Sequence, residues 1–203
     1  MHRNFDYFIL LVEMRTGSNL LELKLDMFVD LKTFGEAFNP SFIGSPKTRH
    51  IMDVQLQERI QNPMLLLEKF KQQFDTISGF RYFHDHDLRV LLPCLLDPRC
   101  GKIILTRNPV ESYISWKIAA QTGQWKLQNI TRKKRADKVH FDAEEFDEYL
   151  TRTQNFTLYV KARLQILGQT AFHLAYEDLQ NQAVIDGLAQ FLGSNGQVEK
   201  LAP

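Results

Sequence analysis

A chain of 203 residues, 44% of them hydrophobic, has room for one α/β domain with a sizeable core and argues against long disordered tails. Its formal net charge of +1 gives no bulk electrostatic reason to expect nucleic-acid or membrane binding, so any anion site must be local. No apolar segment is long enough to span a bilayer, and the first one, bracketed by Asp6 and Glu13, is too short for the core of an export signal. Cys94 and Cys100 have no metal-ligand spacing with any histidine and are expected as reduced thiols, which leads to the expectation of a cytoplasmic protein.

The run Phe8 to Val12 is apolar without alternation, as expected of a parallel strand buried on both faces. Arg15-Thr16-Gly17-Ser18-Asn19 follows, and it offers a cation, amides freed by glycine, two hydroxyls and the positive end of the next helix, a set suited to an anion. Leu20, Leu21, Leu25, Phe28 and Leu31 fall on one side at helical spacing, which predicts a helix closed by Gly35 as a left-handed cap. Residues 35–47 read as an ordered loop, carrying Glu36 and given something to bury by Phe38, Phe42 and Ile43.

Between Asp53 and Phe74 two helical pieces are expected, the second opened by Asn62 as cap and Pro63 in the first helical position, with Ile60, Leu67, Phe70 and Phe74 in the core. Gly79 to His84 reads as a strand, followed by an amphipathic segment over 88–96. His84 and His86 thus lie near a strand's carboxyl end, where open α/β sheets place functional groups. A metal site over residues 84–87 is not expected, because adjacent strand residues face opposite ways. Lys102 to Thr106 is a second buried-strand candidate, Asn108 to Glu111 reads as a capping box with Pro109 inside it, and Arg107 falls at the junction. Ser112 and Ser115 share a helix face, so an arginine and a helical serine are placed to hold a phosphate.

The polar stretch after Trp125 reads as lid-like, over about residues 121–142. Its basic cluster Arg132 to Arg135 is balanced by Asp142, Glu144, Glu145, Asp147 and Glu148. A long helix opens at Asp142 and ends at Gly168, then come a strand over 172–176 and a last helix capped by Gly193. The alternation predicts a single domain over residues 1–203 with a three-layer, P-loop-like α/β fold, a central mostly parallel sheet flanked by helices.

Three stretches in this order resemble the sulfotransferases that use 3′-phosphoadenosine 5′-phosphosulfate (PAPS): MRTGSNLL at 14–21, ILTRNPVESYISWKIA at 104–119, and YEDL at 176–179 followed by AQFLG at 189–193. The second is the most specific, since that family's 3′-phosphate motif pairs an arginine with a serine eight residues later, the spacing of Arg107 and Ser115. The bacterial carbohydrate branch, including trehalose and nodulation-factor enzymes, looks closest, with arginine in the first loop and a glutamate after the first helix similar to Glu36.

The resemblance implies transfer of a sulfuryl group to a hydroxyl of a carbohydrate or glycolipid acceptor, without a metal. It also implies that Arg15, Thr16, Gly17, Ser18 and Asn19 bind the 5′-phosphosulfate, that Arg107 and Ser115 bind the 3′-phosphate, and that Tyr176 lies near adenine. The Arg-Lys-Gly motif of the animal enzymes does not occur in these 203 residues, which implies fewer partners for the 3′-phosphate. The general base is left open between Glu36, as in the trehalose-type enzymes, and His84 or His86, as in the animal enzymes. A homodimer is compatible with the sequence. Two other readings stay open: a P-loop kinase or NTPase, against which stands the lack of a G-x-x-x-x-G-K-[ST] motif, and a catalytically silent nucleotide-binding protein of the same fold.

Overall fold

A strand covered on both faces needs an unbroken apolar run, and Tyr7–Leu11 (β1) is buried at every residue. The computed structural model describes residues 3–125 and 138–198. The basic cluster at 132–135 and most of the lid-like segment lie outside the described residues. After β1 come Ser18–Leu25 (α1), Leu31–Thr33 (β2), the short strands His50–Ile51 (β3) and Val54–Gln55 (β4), and the helices Leu56–Gln61 (α2) and Pro63–Lys71 (α3). Then follow Ile77–Tyr82 (β5), Leu88–Leu96 (α4), Cys100–Thr106 (β6), Pro109–Thr122 (α5), Ala143–Ile166 (α6), Phe172–Ala175 (β7), a 3-10 turn over Tyr176–Gln180, and Gln182–Leu192 (α7).

The main sheet has the order β2-β5-β1-β6-β7, and each of its pairings is parallel. Alternation along β1 sorts the core into two layers. Tyr7, Ile9 and Leu11 face one cluster with Phe70 of α3, Leu95 of α4 and Val160 of α6, while Phe8, Leu10 and Val12 face Leu21 of α1 and Leu188 of α7. This is the three-layer, parallel α/β arrangement read from the sequence. From β1 the chain leaves toward the β2 edge, and from β6 it leaves toward β7, so the switch in winding falls between β1 and β6. Such a switch opens a crevice beyond the carboxyl ends of the two strands, and both phosphate-binding candidate stretches start there.

The first helix is shorter than its spacing predicts. It stops at Leu25, and the Asp26 carboxylate accepts hydrogen bonds from the Thr33 amide at 2.6 Å and the Thr33 hydroxyl at 2.9 Å. That folds the chain back and sends Leu31 into the sheet opposite Ile77 as β2. Gly35 is left-handed, with φ 61°, but it follows a strand instead of capping a helix. Ile60 and Phe74, expected in the core, are 38% and 84% exposed, because α2 gives way to a newly oriented α3 at Asn62 and α3 ends before Phe74. The β3–β4 hairpin was not legible as such: its two turn residues, Met52 and Asp53, both take positive φ, as a type I′ turn requires, without a glycine.

Other local signals are met. Asn62, Asn108 and Asp142 each cap a helix through the side chain. The capping box at Asn108 is only half formed, since the Glu111 carboxylate turns to Arg107 instead of back to the cap. Cys94 and Cys100 are free and buried. Among the described residues no helix is long and apolar enough to cross a membrane.

Gly79 faces Phe8 so closely that a Cβ would lie 2.2 Å from its ring. Gly79→Ala is therefore expected to destabilise the fold by about 1–3 kcal/mol through overpacking, measurable as a lower midpoint in urea unfolding.

Candidate functional site

The loop between β1 and α1 is built around Gly17. Its φ of 96° suits glycine, and a Cβ there would meet Tyr176 Cδ2 at 2.5 Å, so glycine lets the tyrosine ring at the end of β7 lie against the loop. The first amides of α1, at Ser18 and Asn19, have no intrahelical acceptor by their position and carry the positive end of the helix. Arg15 also sits at positive φ, 69°, a conformation that a non-glycine residue holds only when its surroundings impose it. Here they do: Arg15 Nε donates to Ser115 Oγ at 3.0 Å, and Arg15 Nη1 donates to the Trp125 carbonyl at 2.7 Å.

The Arg107 side chain reaches into the same crevice from the end of β6. Its Nη1 donates to the Arg15 carbonyl at 3.2 Å, its guanidinium lies 4.0 Å over the Tyr176 ring, and it pairs with Glu111 at 3.1 Å. Two guanidiniums thus converge at the switch point. Burial, and after it repulsion from Arg107, lowers the Arg15 pKa, and no carboxylate among the described residues pairs with Arg15. An anion would relieve both costs.

Of the residues singled out in sequence, Arg15, Gly17, Arg107, Ser115 and Tyr176 come together here. Ser18 and Asn19 sit on the other flank of the helix start, against Arg81 of β5, at 3.3 and 3.0 Å. Thr16 turns inward, its hydroxyl donating to the Glu13 carbonyl at 2.7 Å. Ser112 and Ser115 part company: Ser112 is buried, and with Thr16, Arg107, Tyr149 and Thr153 it lines a slot of about 340 Å³ between β6 and α6.

The three candidate bases fall into two carboxylate–histidine pairs. Glu36 is anchored by two backbone hydrogen bonds with Gly44, each 3.0 Å, and its carboxylate accepts from Asn39 Nδ2 at 2.9 Å. Arg81 Nη2 and His86 Nε2 face it, each at 3.6 Å. Buried Arg59 holds this loop by donating to the carbonyls of Phe42, at 2.8 Å, and Asn39. Burial pushes the Glu36 pKa up, but His86, Arg81 and Asn39 together outweigh it and leave the group below its ordinary value. Glu36 and His86 are thus neighbours in one cluster.

His84 belongs to the second pair, its Nδ1 2.9 Å from Glu13 Oε2. The hydrogen bond to Glu13 raises the His84 pKa despite partial burial. This pair contributes stability that is full below the unfolded histidine value of about 6.5 and is lost as pH rises through the raised folded value. Glu13→Gln is therefore expected to cost more stability at pH 6 than at pH 9 in denaturant unfolding. An equal cost at both would mean that Glu13 does not shift the His84 titration within that range.

Sequence reasoning missed Arg81, Glu22 and Glu13 as members of the site. One signal was available: Arg81 interrupts an apolar run that forms a strand buried at all six residues, and a cation there requires partners.

No family model matches this chain, and no curated protein matches it in sequence. Its fold does match a crystal structure described as a sulfotransferase from Alicyclobacillus acidocaldarius, with a TM-score of 0.57 and 15% sequence identity over 100% of this chain and 87% of that one. The chain therefore has the parallel, helix-flanked α/β fold of that sulfotransferase structure.

Proposed function

We propose that this chain is a sulfotransferase that moves a sulfuryl group from PAPS to a hydroxyl of a carbohydrate or glycolipid acceptor. The observation that carries the reading is the meeting of Arg15 and Arg107 beside the Gly17 loop, the first without a carboxylate among the described residues and linked to Ser115, the second stacked on Tyr176. The residues fit the donor in kind: two cations for two phosphate ends, a glycine turn that admits close approach, unpaired helix amides, and an aromatic ring for adenine.

When bound, PAPS supplies the sulfuryl group and a nucleotide leaving group. Arg15 and the amides of Ser18 and Asn19 stabilise the negative charge that grows on the leaving oxygen. Arg107, with Ser115 on the second turn of α5, holds the 3′-phosphate, and Tyr176 holds the adenine. Glu36 is the favoured acceptor of the proton that the attacking hydroxyl loses, being ionised at neutral pH and tied to the loop through Arg81.

The test is transfer of labelled sulfate from PAPS to a panel of oligosaccharides and glycolipids. Labelled acceptor that requires the intact chain supports the reading. Tight nucleotide binding with no transfer to any hydroxyl would instead mark a silent member of the fold.

A further inference from the structure

Arg81 is 7% exposed within a strand that is otherwise hydrocarbon, tyrosine, serine and glycine. An apolar side chain would fill the same space without the cost of burying a cation, so its partners matter. Its fork spans two parts of the site. Nη1 donates to Asn19 Oδ1 at 3.0 Å and to Ser18 Oγ at 3.3 Å, at the start of α1, while Nε lies 3.1 Å from Glu22 Oε1 and Nη2 lies 3.6 Å from Glu36 Oε1. One guanidinium thus touches both the candidate anion loop and the candidate base.

We infer that Arg81 is a positioning residue through which anion binding at Ser18 and Asn19 sets the basicity of Glu36. The inference rests on the sulfotransferase reading above. An anion at the helix start adds negative charge next to the guanidinium that, after His86, favours ionised Glu36, so the ionised form becomes less favoured and the carboxylate takes a proton more readily. The groups facing Glu36 are Arg81 from β5, His86 from the segment after β5, and Asn39 from its own loop, with Glu22 of α1 acting across Arg81. Linkage makes the effect reciprocal: protonation of Glu36 strengthens anion binding by the same factor. Glu36 is a weak base until the donor is in place and a stronger one afterwards, when the acceptor proton has to leave.

The experiment is an NMR pH titration of the Glu36 carboxyl carbon in the full chain, with and without 3′-phosphoadenosine 5′-phosphate. It compares wild type, Arg81→Lys, and Arg81→Met combined with Glu22→Gln, which removes one charge of each sign. Without nucleotide, the double variant should titrate about one pH unit higher than wild type. With nucleotide, the wild-type midpoint should rise by roughly half a unit, equivalent to about threefold tighter nucleotide binding below the midpoint than above it. Arg81→Lys, which keeps the charge but not the fork, should restore the low midpoint and show less of the nucleotide response.

A Glu36 midpoint unchanged in the folded double variant, or unresponsive to bound nucleotide in wild type, overturns the inference. If the double variant does not fold, a full wild-type response in Arg81→Lys overturns it. Failure of wild type to bind the nucleotide counts against the sulfotransferase reading instead, and the nucleotide-free comparison still decides whether Arg81 governs Glu36.

Discussion

Glu36→Gln is expected to lower sulfuryl-transfer turnover by about a hundred- to ten-thousand-fold, the usual worth of a general base, while 3′-phosphoadenosine 5′-phosphate still binds within a few fold of wild type. Glutamine keeps the shape and can still accept from Asn39, so the loop pinned by Gly44 and Arg59 should persist. What disappears is the carboxylate proposed to take the proton.

The pH profile separates the candidates. Glu36 has a depressed pKa, so it is ionised through the neutral range, and turnover that depends on it should fall only as acid protonates it. His84 has a raised pKa, so turnover that depended on neutral His84 would already be falling as pH drops through that raised value. Near-normal turnover in Glu36→Gln, with such a high acidic limb, would move the assignment to the Glu13–His84 pair.

Arg15→Ala is the second large effect expected. If Arg15 stabilises charge on the leaving oxygen, its loss should cost roughly a hundred- to a thousand-fold in turnover, with a smaller loss in nucleotide affinity because Arg107 and the helix amides remain. Arg15→Lys should recover little. A lysine offers one point charge where the arginine reaches Ser115 through Nε and the Trp125 carbonyl through Nη1. Single-turnover kinetics with saturating donor reads this directly. A purely structural Arg15 would instead lower thermal stability and leave the rate of the folded fraction intact.

Local signals in the sequence reported local structure well. The apolar run of β1, the asparagine and aspartate caps at 62, 108 and 142, and the glycine after the first strand all found their expected places. They failed where a distant or unexpected partner decided the outcome. Leu31 continues the helical spacing of α1, yet the grip of Asp26 on Thr33 and the pairing with Ile77 place it in a strand. Spacing at Ile60 and Phe74 could not say which way α2 and α3 would turn. In the site, the meeting of Arg15, Gly17 and Arg107 was legible because each stands in a short motif whose residue types suit an anion. Arg81 and Glu13 were not, because they act across 63 and 71 residues of chain, on Ser18 and His84.

On the proposed function, two phosphate ends of one nucleotide are held by groups that lie far apart in sequence. Calorimetry with 3′-phosphoadenosine 5′-phosphate and with ADP, which carries its second phosphate on the 5′ side, tests it most directly. Binding at least about tenfold tighter is expected for the 3′-phosphorylated nucleotide, the worth of one charge-assisted contact, with loss of that preference in Arg107→Ala. Equal affinity for the two nucleotides would contradict it.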